Sequence, residues 1–160
     1  CGITDGFSGH PAVEHTDIAV KTMCIFPRGH RLSQLDRVSP LDLVDEKIIH
    51  TRKGSPFFNS LSQSFSDYGV LLNSWVEVRQ FSTACIMVAQ GQGVSVVSAI
   101  DAEQFKSLGM EIRPFEPEIV HWLSILRPAS GSRSLLSLDF VETLVESLQP
   151  YVVNVPPRVM

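Results

Sequence analysis

Asp17-Ile18-Ala19-Val20-Lys21-Thr22-Met23-Cys24-Ile25-Phe26 is the stretch on which the fold turns. It is rich in β-branched and apolar side chains and stops at Pro27-Arg28-Gly29, so it reads as a strand buried on both sides for much of its length. A second such run, Ile119 to Leu126, returns near the end of the chain. Between the two lies a self-contained series of alternating strand and helix signals. Two crossing strands that bracket one α/β block predict a two-lobe protein of the α/β class with a largely parallel sheet.

The block itself is well punctuated. Lys47 to Thr51 is a short strand, and Arg52-Lys53-Gly54-Ser55-Pro56 turns the chain. Ser55 is a fitting N-cap and Pro56 suits the first turn of the helix that follows. Phe57, Phe58, Leu61, Phe65 and Tyr68 form its apolar stripe, and Gly69 ends it. Trp75 to Phe81 predicts a strand. Ser82 is the expected cap of a short, nearly all-apolar helix, Thr83 to Gln90, predicted to be buried on all sides and closed by Gly91. Val94 to Val97 follows as a strand and Asp101 to Leu108 as a helix. Outside the block, residues 5–16 read as a loop and Ser39 to Leu43 as a capped helical turn. Ser134 to Leu148 is an amphipathic helix expected to turn Leu135, Leu138, Val141, Leu144, Val145 and Leu148 inward.

Composition narrows the function. The 160 residues are 44% hydrophobic and 19% charged, which excludes a disordered chain. A net charge of −4 leaves no basic footprint for nucleic acid. The longest unbroken apolar run, Ala84 to Ala89, is far shorter than the ~20 residues that span a bilayer, so no membrane partner is expected. Cys1, Cys24 and Cys85 are odd in number and widely spaced, which suits a reducing cytoplasm and offers neither a zinc pattern nor a disulfide framework. The opening residues, Cys1 to Gly6, lack the basic and apolar segments of a leader, and Gly2-Ile3-Thr4 resembles a strand end without neighbours. The expectation is a fragment of a longer cytoplasmic protein.

No catalytic, metal or cofactor set emerges. Gly93-Val94-Ser95-Val96-Val97 lacks the closing glycine of a nucleophile elbow, and Gly91-Gln92-Gly93 lacks the remainder of a dinucleotide or phosphate loop. His10 and His15 have no third ligand nearby, His30 and His121 read as structural, and Cys85 reads as inert packing. Anion-binding geometry is better represented. Thr51 to Pro56 and Phe81-Ser82-Thr83 each start a helix directly after a strand, where free N–H groups and a partial positive charge suit a carboxylate or phosphate. Ordinary capping uses the same residue types, and the local signal leaves both readings open.

Taken in order, several segments resemble one family. Cys24-Ile25-Phe26-Pro27-Arg28-Gly29-His30-Arg31-Leu32, then Val38-Ser39-Pro40-Leu41-Asp42-Leu43 with Ile48-Ile49, resembles the second-lobe entry of LysR-type transcriptional regulators. Val88-Ala89-Gln90-Gly91-Gln92-Gly93-Val94-Ser95-Val96-Val97 is similar to that family's Val-x-x-Gly-x-Gly-Val-x-Val-Val segment, and Gly2-Ile3-Thr4 to the tail of its Asp-Leu-Gly-Ile strand. The resemblance runs from residue 1 to about 150. It implies an effector-sensing domain with a two-lobe fold like that of periplasmic binding proteins. It further implies residues 1–23 as a remnant of lobe one with the crossover strand, 24–122 as a complete lobe two, 123–150 as the return strand and C-terminal helix of lobe one, and 151–160 as a tail.

The implied function is regulation of transcription, not enzymatic catalysis. A small carboxylate or amino-acid-like effector would bind between the lobes of a homo-oligomer, and DNA would be met only by a helix-turn-helix domain outside this chain. The implied contacts are Thr51, Gly54 and Ser55 at one helix start, Ser82 and Thr83 at the other, Phe81, Ser98 and Ala99 along the wall, and Thr4 and Asp5 from lobe one. The wording around residues 80–100 is closest to regulators of opine and basic amino-acid catabolism. There Ser98-Ala99 stands where that subgroup tends to carry Asp-Pro, so an acidic partner for a ligand cation is lost and Asp5 is its candidate replacement. Two other readings remain: a solute-binding protein of a transport system, and an enzyme using Asp5 or His50. One outcome follows from charge alone. The isolated chain is expected to show no binding to duplex DNA above non-specific background in a gel-shift assay at physiological salt; a sub-micromolar shift would refute it.

Overall fold

In the computed structural model, which describes residues 1–130 and 134–155, the strand signals resolve into β1 (Gly2–Asp5), β2 (Val13–Pro27), β3 (Ile48–Thr51), β4 (Ser74–Val78), β5 (Val94–Ser98), β6 (Met110–Pro114) and β7 (Val120–Pro128). The helices are α1 (Pro56–Asp67), α2 (Phe81–Ala89), α3 (Ala99–Phe105) and α4 (Leu135–Leu148). Short 3-10 turns lie at Arg31–Gln34, Pro40–Leu43, Lys106–Leu108 and Gln149–Tyr151. Contacts divide the chain into unit one, Cys1–Val20 with the chain from His121 onward, and unit two, Lys21–Val120.

Unit two is a sheet covered on both faces, and period-2 alternation does the sorting. Cys24, Phe26, Ile48, Val94 and Val96 face one side, where they meet Phe57, Leu61 and Phe65 of α1 with Leu32, Val38 and Leu43 of the connecting turns. Ile25, Ile49, Val78 and Val97 face the other side, against Ala84, Cys85 and Val88 of α2 and Ala102 of α3. β3 lies between β4 and β5 and runs parallel to both, with Thr51 opposite Val78 and Ile48 opposite Val94. β2 runs antiparallel to β5 and to β6. The unit-two sheet is therefore mixed, not largely parallel, because the crossover strand enters it against the direction of the strands it joins.

Several elements differ from the sequence reading. β2 begins at Val13, inside the predicted loop, because its polar first turn is held by strand pairing and not by hydrophobic pattern. β6 was not foreseen: Met110-Glu111-Ile112-Arg113-Pro114 alternates charge with apolar side chains, and only its pairing with β2 identifies it as a strand. α2 starts at Phe81, with the extended backbone of Gln80 as its cap, so Ser82 is a helical residue and not the N-cap. Nor is α2 buried all round, since Ile86 is 44% exposed. α3 starts at Ala99, where the Ser98 hydroxyl accepts from the Ile100 N–H at 3.1 Å. α1 behaves as read, with the Ser55 hydroxyl accepting from the Phe58 N–H at 3.1 Å.

Unit one places β7 between β1 and the first part of β2. Gly2 to Asp5 pair antiparallel with Leu126 to Leu123. The buried Ser124 hydroxyl donates to Asp17 at 2.6 Å, and the Val153 N–H donates to the Ala19 carbonyl at 2.9 Å. α4 departs most from expectation. Leu135 and Leu136 are each 78% exposed, Leu138 is also exposed, and Leu148 alone among the helix's described residues is buried. Helical spacing gathers residues on one face, but it does not supply the surface that covers that face.

One glycine carries a steric requirement that can be measured. A Cβ at Gly93 would sit 2.4 Å from the Lys47 carbonyl oxygen, which itself accepts the Val94 N–H at 3.0 Å as β5 begins beside β3. Gly93→Ala is expected to cost more than about 2 kcal/mol in urea unfolding, by overpacking against backbone that cannot retreat without breaking that hydrogen bond. A cost within about 0.5 kcal/mol would contradict the close approach.

Candidate functional site

Parallel strands deliver their carboxyl ends to one edge of a sheet, and the helices that follow begin there. In unit two this edge collects the end of β3 at Thr51, the end of β4 at Val78 and the end of β5 at Ser98, with the first turns of α1, α2 and α3 directly after them. Of the residues singled out from sequence, Thr51, Gly54, Ser55, Phe81, Ser82, Thr83, Ser98 and Ala99 all belong to it. Thr4 and Asp5 belong to unit one, on β1 opposite Ser124 and Leu123.

The turn after β3 is pinned from several directions. Gly54 adopts φ +81°, a left-handed conformation that lets the chain reverse before the Ser55 cap. The Lys53 N–H donates to the Glu77 carboxylate at 3.1 Å. Below the turn, His50 is buried with both ring nitrogens engaged: Nδ1 lies 2.7 Å from the Thr51 carbonyl and Nε2 2.6 Å from the Ser74 hydroxyl. A carbonyl only accepts, so Nδ1 carries the proton, and Nε2 shares a hydrogen bond with the Ser74 hydroxyl. The ring also packs on Phe58, centroids 4.7 Å apart. Beside this framework the Thr51 hydroxyl oxygen is buried and has no hydrogen-bond partner among the described residues. A buried hydroxyl left unpaired costs about 1–3 kcal/mol, so its presence calls for a reason.

α2 contributes differently. Its cap residue, Gln80, makes no side-chain hydrogen bond to the helix. The Ser82 and Thr83 N–H groups lie in the first turn, where no carbonyl of the helix reaches them. The Phe81 ring meets Phe57 edge-on at 5.1 Å, which ties the start of α2 to that of α1. Ser98 and Ala99 are buried beneath this edge, and the Ser98 hydroxyl is already used in capping α3. The edge thus offers backbone donors, hydroxyls and one unsatisfied buried oxygen, a set suited to an oxyanion. A separate shallow groove of about 550 Å³ along α1, lined by Asn59, Ser60, Gln63, Ser64, Asp67 and Pro117 to Ile119, contains none of the residues singled out from sequence.

The remaining candidates are occupied or inert. Burial pushes the Cys85 thiol up to about 12, with the Asp101 charge adding to it, and burial raises Cys24 further still. Among the described residues no group of three metal-ligating side chains comes together, and no helix is long and apolar enough to cross a membrane. Asp5, the candidate replacement for a lost acidic partner, lies 3.3 Å from the buried His121 ring. Asp5, Asp17 and His50 were invisible as hydrogen-bonded groups in the sequence, because their partners lie from one residue to more than a hundred away.

Two α/β units, with helix N-termini gathered at the carboxyl ends of parallel strands, define a ligand-binding domain of the periplasmic-binding-protein type. The family described as LysR substrate binding domain matches residues 1–149, and the chain belongs to it. It is 26% identical over 154 residues to the transcriptional activator protein LysR of Escherichia coli, covering 96% of this chain and 50% of that protein. It is 28% identical over 133 residues to the octopine catabolism/uptake operon regulatory protein OccR of Rhizobium meliloti, covering 83% of this chain and 44% of the relative. The chain therefore spans about half the length of these relatives. The structure of the BenM effector binding domain with its effector benzoate superposes with a TM-score of 0.70 at 23% identity, covering 99% of this chain and 73% of that one. The fold is that of LysR-type effector-binding domains, and the transport reading finds no support in these matches.

The Asp5–His121 contact has a pH signature. The hydrogen bond from His121 holds the Asp5 carboxyl below its ordinary value of 3.8, against the opposing effect of burial. A carboxyl lowered on folding stabilises the protein fully above its ordinary range, and the gain is lost as pH falls through the lowered value. Asp5→Asn is expected to flatten the acid limb of stability in urea unfolding between about pH 2 and 6, and to lower stability slightly at neutral pH. An unchanged acid limb would remove the contact from consideration.

Proposed function

We propose that this chain is the effector-sensing domain of a cytoplasmic transcriptional regulator that works as a homo-oligomer. In this reading a small carboxylate binds at the carboxyl edge of β3 and β4, held by the first-turn N–H groups of α1 and α2, Gly54, and the hydroxyls of Thr51, Ser55, Ser82 and Thr83. Phe81, Ser98 and Ala99 are proposed to shape and support that site, and Thr4 and Asp5 belong to unit one. Differential affinity of the effector for two arrangements of the domain would then bias DNA binding by a helix-turn-helix domain outside this chain.

The buried, partnerless Thr51 hydroxyl carries the reading. Structural cores do not leave a hydroxyl unpaired without cause, and an effector oxygen beside two helix N-termini supplies the missing partner. An enzymatic reading has less to stand on. Ser124, Asp17 and His15 are connected with the carboxylate in the middle, 2.6 Å from Ser124 and 3.7 Å from His15. A nucleophile needs the imidazole in that middle position.

Thr51→Val separates a binding role from a structural one. Loss of an unsatisfied hydroxyl is expected to leave the melting temperature unchanged or raised, because no hydrogen bond is broken. Loss of a hydrogen bond to a charged ligand is worth roughly 1.5–3 kcal/mol, so calorimetric affinity for a carboxylate found by thermal-shift screening should fall about tenfold or more. Unchanged affinity, or a lowered melting temperature with no change in binding, would sink the reading.

A further inference from the structure

We propose that the effector of this site is a small dianion with two acidic groups, in preference to a monocarboxylate or a zwitterionic amino acid. The inference rests on the reading of the strand-end edge as the effector site. Six of the eleven cationic Lys and Arg side chains among the described residues have partners. Arg31 pairs with Glu46, Arg37 with Glu116, Lys106 with Glu103, and Arg113 with Glu111 and the carbonyls of Ser33 and Leu35. Arg127 donates to Thr16, and Lys47 sits 4.3 Å above the Trp75 ring.

Arg52, Lys53 and Arg79 are three of the remaining five. All three are exposed, and their side chains have no hydrogen-bond, ion-pair or ring partner among the described residues. Lys21 and Arg28 share that property but lie outside these turns. Arg52 and Lys53 directly follow Thr51, and Arg79 directly follows Val78, the residue paired with Thr51 across β3 and β4. Glu77, the carboxylate of the same turns, is engaged by the Lys53 N–H at 3.1 Å. In a chain of net charge −4, the three cations of this edge outnumber its two carboxylates, Glu77 and Asp101.

The two sets of donors divide the work. The Thr51 hydroxyl and the first-turn N–H groups of α1 and α2 suit one oxyanion. The guanidinium groups of Arg52 and Arg79, planar and always charged, match a second carboxylate or a phosphate in bidentate geometry. A zwitterion would bring its ammonium to an edge where the cations Arg52, Lys53 and Arg79 outnumber the carboxylates Glu77 and Asp101. A dicarboxylate and a phosphorylated acid share the required chemistry.

The test is titration of succinate, phosphoglycolate, benzoate and arginine into the chain, with the amide resonances of Gly54, Ser55, Ser82 and Thr83 as reporters. The dianions are expected to bind at least about tenfold tighter than benzoate, with no response to arginine. Arg52→Gln combined with Arg79→Gln should lower dianion affinity about tenfold or more, and Lys106→Gln, a charge change elsewhere, should not. A tighter response to succinate identifies a dicarboxylate, and one to phosphoglycolate a phosphorylated acid. Benzoate or arginine binding as tightly as the dianions, or dianion affinity indifferent to the double substitution, overturns the dianion assignment and leaves the site standing. If no probe moves these amides, the effector site itself is refuted, and this inference with it.

Discussion

Burial of both faces of the unit-two sheet is the constraint from which the rest follows. Ile48 and Ile49, or Val96 and Val97, are consecutive apolar residues that point to opposite sides, and each side needs its own helical cover. The cover on one side is α1 and on the other α2 and α3, so each parallel strand must hand the chain to a helix at its carboxyl end. That requirement gathers several helix starts at one edge. The potential for anion binding there is a by-product of packing before it is a property of any particular side chain.

What particular side chains add is order and charge. His50 and Ser74 lock the Thr51 carbonyl, and Glu77 locks the Lys53 amide, so the turn that leads into α1 is held from the neighbouring strand β4. With the backbone fixed, the Thr51 hydroxyl oxygen is buried without a partner among the described residues. An unsatisfied oxygen held rigidly beside unpaired cations is an arrangement that costs stability and favours a ligand. The same rigidity distinguishes the site from the exposed face of α4, whose leucines are equally unpartnered but belong to no polar framework.

Membership of the LysR substrate binding domain family agrees with this physical account without dictating its details. The chain is about a quarter identical to its relatives. Ser98 illustrates the point. The loss of an acidic residue inferred there from sequence has a local structural counterpart: the serine hydroxyl accepts the Ile100 N–H and serves as the cap of α3.

Much of the architecture was legible in the sequence, because local physics writes it there. The strand at residues 17–26, the Ser55 cap with Pro56 behind it, the Phe57-Leu61-Phe65 stripe and the Gly91 stop are statements about neighbours within one or two turns of chain. The candidate site was legible to the same extent, as two helix starts following two strands. The rest waited on pairing across long sequence separations. β6 became a strand only beside β2, Gln80 displaced Ser82 as the cap through a backbone conformation set by β4, and α4 kept its spacing but not its burial. Residue pattern determined which side chains share a face. Tertiary structure alone decided which of them found partners, and left the side chains of Thr51, Arg52, Lys53 and Arg79 without any among the described residues, because a hydrogen bond or ion pair depends on distances that no local periodicity encodes.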